Sequence, residues 1–274
     1  MIDTIHTLNI LLPIFYFTAF LIYLYDFLKE DKRINNSKRL FLFLTSSVHI
    51  LYIIFRTIEF DHPPITNVFE IFTLLAFSIS FSYFILELIT DIRNTGMFII
   101  ILSIAFQIFS SFFIEDLTDV KEVLRNNLLG IHVFSALVGY SGFTISAVYG
   151  FLFLLLYNQI KQNNYGIIFN RLPNLETLEK LCFYSAIIGF VLLTISIIIG
   201  FIWLPKSNLN FSYTDPKLLG TLLVWILYGI GITRKLYGNM RGRKLVVISL
   251  VGFILTISST IVSNFLAKSF HSFY

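Results

Sequence analysis

Along the chain, long continuous runs of apolar residues alternate with short polar segments. Roughly 20 apolar residues in a helix cover the hydrocarbon of a bilayer. Eight stretches approach that length: 8–28, 40–57, 68–89, 96–114, 128–157, 183–204, 218–233 and 245–266. None has the strict alternation of a membrane β-strand. The pattern predicts an all-α fold, a polytopic membrane helix bundle with eight transmembrane helices. No linker, low-complexity tract or clear repeat interrupts it, so residues 1–274 read as a single integral-membrane domain. The first stretch does not read as a cleaved signal peptide, because Met1 to Asn9 holds no Lys or Arg and the positive cluster follows the stretch.

Composition agrees. Hydrophobic residues make up 56% of the chain and charged residues 13%, with a mean hydropathy of +0.80. Soluble domains carry about a quarter charged residues, so a soluble globular enzyme is excluded, as is a basic nucleic-acid-coating protein. The single cysteine, Cys182, excludes an internal disulfide, a Cys-x-x-Cys redox pair and the Cys-x-x-Cys-His attachment motif of a c-type cytochrome. No Ser-His-Asp arrangement, carboxylate pair or phosphate-cradling loop is evident, and no catalytic residue is assigned.

The net charge of +4 changes the picture mainly as an orientation signal. The segments after spans one, three, five and seven hold 14 of the 20 Lys and Arg residues. The positive-inside rule therefore puts those segments inside and both termini outside. The basic clusters Lys29–Arg39 and Arg234–Lys244 become inside anchors that also favour anionic lipid, with the bilayer itself as a partner. By the same reading His6 and His62 fall at the outer surface, His132 at the outer mouth of span five and His271 just past span eight. Only His49 lies near mid-membrane, where an ionisable residue is costly and so a functional candidate; the alternative is a neutral imidazole bonded to a neighbouring helix. Glu70 is placed to bond a loop donor or to pair with Arg56. Gly142, Ser146 and Gly150 recur every four residues and predict a close-packing seam, and Asp215 before Pro216 predicts a helix cap.

Between spans six and seven, residues 200–217 are short, aromatic and nearly uncharged. Trp203, Phe211 and Tyr213 beside the Asp215-Pro216 turn suit either an aromatic belt at the membrane face or a flat apolar platform for a ring system.

The run "GFIWLPKSNLNFSYTDPKLLGTLLVWILYG" resembles the tryptophan-rich haem-handling loop and following helix of the cytochrome c assembly family, which includes CcsA, CcmC, CcmF and HemX-type proteins. The resemblance rests on Gly200, Trp203, Asp215, Pro216, Lys217, Trp225 and Tyr228. "LGIHVFSALVGYSGFTISAVYGFLFLLLY" resembles the family's helix that begins with a haem-ligating His, here His132. "RGRKLVVISLVGF" followed by "SNFLAKSFHSFY" resembles its last helix and closing His, here His271. "HILYIIFRTIEFDHPPITNVFEIFTLLAFS" and "LPNLETLEKLCFYSAIIGFVLLTISIIIG" agree in order, so the likeness covers about residues 49–271.

This resemblance implies a protein of the cell (inner or cytoplasmic) membrane that binds haem b and presents it at the outer face for attachment to apocytochrome c. It implies His132 and His271 as axial ligands of haem iron, with Trp203, Tyr213, Asp215 and Trp225 framing the cofactor and His49 a further candidate for iron. A CcsB-type membrane partner and apocytochrome c are the implied partners, with no nucleic acid. Departures point to an alternative. Only Trp203 remains of the Trp-rich loop, and Thr233 stands where the CcsA branch carries a further His. A HemX-like regulator of tetrapyrrole synthesis has a similarly reduced pattern. A small-molecule permease ranks behind both, since no broken helix or paired intramembrane charge is clear.

Overall fold

A computed structural model describes residues 1–30, 34–117, 120–163, 165–203, 215–238 and 240–262. Among them all regular elements are helical: α1 (Ile2–Lys29), α2 (Asn35–Phe60), α3 (Val68–Thr90), α4 (Gly96–Phe113), α5 (Asn127–Lys161), α6 (Ile167–Arg171), α7 (Leu175–Trp203), α8 (Pro216–Tyr237) and α9 (Arg243–Ile261). All but the five-residue α6 are long and apolar enough to cross a membrane, which makes eight spans. The helices outrun the apolar stretches: α1 begins at Ile2 and α7 at Leu175, rather than at 8 and 183. Hydropathy marks the part of a helix that suits hydrocarbon, whereas the helix itself continues until a cap ends it. At the start of α7, Asn174 Oδ1 accepts the Thr177 N–H at 2.9 Å. The charged residues of the added turns find partners, Glu176 with Lys180 at 2.8 Å and Glu179 with Lys235.

Contacts divide the chain within α5 into two compact units, Met1–Leu137 and Val138–Tyr274. In the first unit α1 packs on α2, α2 on α3, α3 on α4, and α4 back on α1. The axis of this bundle is polar. Glu70, Thr73, Ser80 and Glu87 lie along one stripe of α3, and all are buried. At a rise of about 1.5 Å per residue, the step from Glu70 to Glu87 covers about 25 Å, most of the hydrocarbon thickness of about 30 Å.

Each end of the stripe is closed by charge. At one end Glu87 accepts the Tyr23 hydroxyl at 2.6 Å and Arg39 Nε at 3.1 Å, while buried Lys38 pairs with Asp26. At the other end Arg56, 1% exposed, donates to Glu70 Oε1 at 3.0 Å, Asp116 Oδ1 at 2.9 Å and the Glu115 carbonyl at 2.6 Å. The second Glu70 oxygen accepts the Thr66 N–H and hydroxyl, each at 2.7 Å. Asn67 caps α3 by accepting the Glu70 N–H at 2.8 Å. Both roles expected for Glu70, a loop donor and Arg56, are thus filled together.

The second unit is built on close approach. A Cβ at Gly142 would lie 2.6 Å from the Gly189 nitrogen, so α5 and α7 meet backbone to backbone at these glycines. One turn on, the Ser146 hydroxyl lies 2.7 Å from the Cys182 carbonyl and 2.6 Å from Ser249 Oγ, drawing α7 and α9 onto α5. Gly150 then meets Val246 and Leu250. The predicted seam is real, and it joins three helices. Phe143 stacks on Tyr228 with ring centroids 3.7 Å apart and planes at 6°, and the Tyr228 hydroxyl donates to the Ser249 carbonyl at 3.0 Å.

Removing one partner of a buried ion pair leaves the other charge uncompensated, at a cost of about 3–5 kcal/mol. Arg56→Ala is expected to lower the unfolding free energy of the purified protein by about that amount, with Glu70→Gln lowering it less because the amide still accepts hydrogen bonds. Denaturant titration followed by circular dichroism reads both, and an Arg56→Ala protein as stable as the wild type contradicts the role.

Candidate functional site

The described residues expected to handle a cofactor fall into four environments. His132 stands in the second turn of α5 and is half-buried. Its helix is started by Asn126, whose Oδ1 accepts the N–H of Leu128 at 2.8 Å. The Pro63 ring, from the turn between α2 and α3, lies against Gly130, within 3.0 Å of where a Cβ would stand. A side chain two residues before His132 would therefore press on that turn.

Trp203 and Asp215 bound the aromatic loop. Trp203 ends α7 and is 6% exposed, so its indole is packed into the unit rather than spread on its surface. Asp215 caps α8 as predicted, its carboxylate accepting the N–H groups of Lys217 at 2.8 Å and Leu218 at 3.3 Å. Pro216 occupies the first turn of α8, where its missing N–H costs nothing. Tyr213 and His271 lie outside the described residues.

Trp225 stands ten residues beyond Asp215, about 15 Å along the helix. Its ring stacks on Phe190 at 5.2 Å and 16°, and its N–H donates to Thr194 Oγ1 at 2.7 Å. Trp225 therefore ties α8 to α7, and the structure does not bring it to the loop's two anchors.

His49 is fully buried in the first unit with both ring nitrogens engaged. Thr73 donates to Gln107 Oε1 at 2.9 Å, so its oxygen is left to accept from His49 Nε2 at 3.0 Å. Nδ1 lies 2.9 Å from the Tyr16 hydroxyl, which is in turn 2.8 Å from Ser80 Oγ. The network runs on from Gln107 to Ser111 at 2.9 Å and from Ser111 to the Asn9 carbonyl at 2.9 Å. Ligation of iron by His49 requires one of these bonds to be exchanged. An imidazole hydrogen-bonded to two neighbouring helices is the arrangement present.

The two other described histidines hold residues 115–117 against the bundle. His6 Nε2 donates to Asp116 Oδ2 at 2.8 Å. His62 has Nδ1 3.0 Å from the Pro63 carbonyl and Nε2 3.0 Å from the Leu117 carbonyl. His62 thus sits in a turn, as expected, but is also buried. Among the described residues no group of three His, Cys, Asp or Glu side chains is placed to hold a metal ion. Haem ligation needs only single imidazoles on opposite faces. Of the histidines predicted to ligate iron, His49 lies in the first unit's polar axis and His132 near the start of α5.

A family model described as cytochrome C assembly protein matches residues 65–271, most of the chain. The chain belongs to this family. A CcsA cytochrome c biogenesis protein of Prochlorococcus marinus strain MIT 9515 is 26% identical over 298 aligned positions, covering 99% of this chain and 94% of its own length. The CcsA protein of Mesostigma viride is 23% identical, covering 87% of this chain and 88% of its own. A protein HemX of Brevibacillus brevis is 23% identical, covering 80% and 81%. With eight membrane-crossing helices, the chain is a multi-pass membrane member of the cytochrome c assembly family.

Sequence reasoning did not single out Tyr16, Thr73, Gln107 or Asp116. A signal existed in the buried stripe of α3, where Glu70, Thr73, Ser80 and Glu87 repeat at helical spacing in an otherwise apolar helix.

Burial alone would raise the Asp116 carboxyl. Hydrogen bonds from His6 and Arg56, with their charges, outweigh it and hold the group below its usual value. A carboxylate depressed in the fold stabilises it above the unfolded pKa of about 4 and loses that contribution as the pH falls through the folded value. Melting temperature is expected to fall on acidification below about pH 4, and Asp116→Asn is expected to flatten that limb while lowering stability at pH 7. Scans from pH 7 to pH 3 on both proteins check this, and parallel acid limbs contradict it.

Proposed function

We propose that this protein handles haem at the membrane for cytochrome c maturation, in the cell's inner or cytoplasmic membrane with both termini outside. The observation that carries the reading is the family match over residues 65–271, which takes in His132, Trp203, Asp215 and His271 in family order. In this reading His132 and His271 would hold the iron of haem b through their imidazoles, and Trp203, Tyr213 and Asp215 would belong to the loop that receives the cofactor. Bound iron would supply the redox couple that sets haem reactivity toward a cysteine thiol.

The chain's own residues position and protect. Asp215 starts α8 at a defined point, and buried Trp203 ends α7 at another, so both ends of the loop are anchored. Trp225 braces the two helices behind it through Phe190 and Thr194. His49 keeps the first unit's polar axis closed. A CcsB-type membrane protein and apocytochrome c are the partners that this reading calls for.

Purification of the full chain followed by absorption spectroscopy tests the proposal. The wild-type protein is expected to carry a Soret band whose reduced spectrum shows two imidazole ligands. His132→Ala and His271→Ala are each expected to lose that signature and to recover it with added imidazole. Retention of an unchanged spectrum by both variants overturns the ligand assignment.

A second reading, a HemX-like regulator of tetrapyrrole synthesis, is favoured by the HemX relative and by Thr233 in place of a further His. Deletion of the gene separates the two. Loss of mature cytochrome c with normal tetrapyrrole precursors supports the first, and altered early precursors with normal cytochrome c supports the second.

A further inference from the structure

Where α8 turns into α9, a cleft of about 520 Å³ opens between Arg234, Gly238, Met240, Arg241, Arg243 and Lys244. Four of these six residues are cations and none is an acid. Two carboxylates lie beside the cleft, each with a cation of its own: Glu179 pairs with Lys235 and accepts the Gly242 N–H at 2.7 Å, and Glu176 pairs with Lys180 while also feeling the charge of Arg241, so the four cleft cations are only partly offset. Four like charges around one open cleft repel one another, and an anion seated among them relieves that repulsion.

The apolar surface leading to the cleft selects the kind of anion. On α8 the exposed residues Leu219, Leu223, Ile226 and Ile230 follow one another at three- or four-residue steps, and the next step is Arg234. On α9 the steps run from Arg243 to exposed Val247, Val251, Ile254 and Ile257. Each cation of the pair therefore ends an apolar track as long as an acyl chain. The same end of the chain carries the Lys and Arg excess, on the side where the positive-inside rule places the anionic leaflet.

We propose that this cleft is a binding site for the headgroup of an anionic phospholipid, whose acyl chains lie along the exposed tracks of α8 and α9. The phosphate sits among Arg234, Arg241, Arg243 and Lys244, with Arg able to give it two parallel N–H donors. The site is separate from the haem reading and does not depend on it.

Native mass spectrometry of the full chain in neutral detergent tests the site, with phosphatidylglycerol, phosphatidylcholine of the same chain length and inorganic phosphate as probes. Phosphatidylglycerol is expected to bind and phosphatidylcholine to bind far less. Each surface cation contributes about fivefold to such an affinity, so the doubly substituted R241Q/R243Q protein is expected to bind phosphatidylglycerol roughly 25-fold more weakly, and Lys244→Gln about fivefold. The charge-matched control K161Q/R171Q, outside both basic clusters, is expected to bind as the wild type does. Circular dichroism establishes that each variant is folded; should R241Q/R243Q not fold, Lys244→Gln carries the comparison. Equal binding of the two lipids, undiminished phosphatidylglycerol binding by the cleft variants, or an equal loss in K161Q/R171Q overturns the proposal. So does displacement of the lipid by millimolar inorganic phosphate, which would make the cleft a site for a soluble anion.

Discussion

A guanidinium and a carboxylate withdrawn from water inside a bundle must answer each other, because hydrocarbon offers neither of them a partner. Arg56 and Glu70 meet that demand in the first unit, and neighbouring groups are arranged around them. Glu70 holds the Thr66 backbone and thereby the turn that starts α3. Arg56 holds the Glu115 carbonyl and Asp116, and thereby the segment after α4. One buried pair thus fixes two connections at the same end of the bundle. The same logic accounts for the other end, where Glu87 gathers Tyr23 and Arg39.

Between these charged ends the polar axis continues through neutral groups, with Tyr16, His49, Thr73, Gln107 and Ser111 bonded in turn. In lipid such bonds stabilise modestly, since an unassembled helix also finds partners. Their larger effect is on register. A helix that slid by one residue would rotate its polar group toward lipid, so α1 to α4 have one alignment that satisfies all of them. The second unit obtains its alignment by another route, through glycine contacts at 142 and 189 and through rings stacked at Phe143–Tyr228 and Phe190–Trp225.

The parts that hydropathy and short-range rules control were legible in the sequence. Eight spans followed from apolar runs, the Asp215 cap from Asp-Pro, and the seam from the four-residue spacing of Gly142, Ser146 and Gly150. The Arg56–Glu70 pair was visible because two opposite charges faced one short loop. The His49 network was not legible. Tyr, Thr and Ser barely change a hydropathy profile, and which of them meet depends on the rotation of four helices about their axes. The Lys38–Asp26 pair was hidden similarly, since Lys38 reads only as part of a basic cluster and its partner depends on how α1 and α2 face each other. Trp225 shows the converse problem: the resemblance places it on the helix after the loop and groups it with the cofactor residues, whereas the rotation of α8 that gives it Phe190 and Thr194 could not be read from the sequence.

These two kinds of packing bear on where the chemistry is free to act. His49, His62 and His6 each spend ring nitrogens on holding the first unit together, so an imidazole taken from them would cost structure. A ligand that must be accepted and then released is better served by side chains at helix starts and chain ends, where binding disturbs little packing. The proposed haem role draws on such positions: His132 stands near the start of α5, and Trp203 and Asp215 are the described residues on either side of the loop. The reduced aromatic content of the loop then matters less than its anchoring. Phe and Tyr still offer flat faces for stacking, while the buried Trp203 and the Asp215 cap fix the helix ends on either side of the loop.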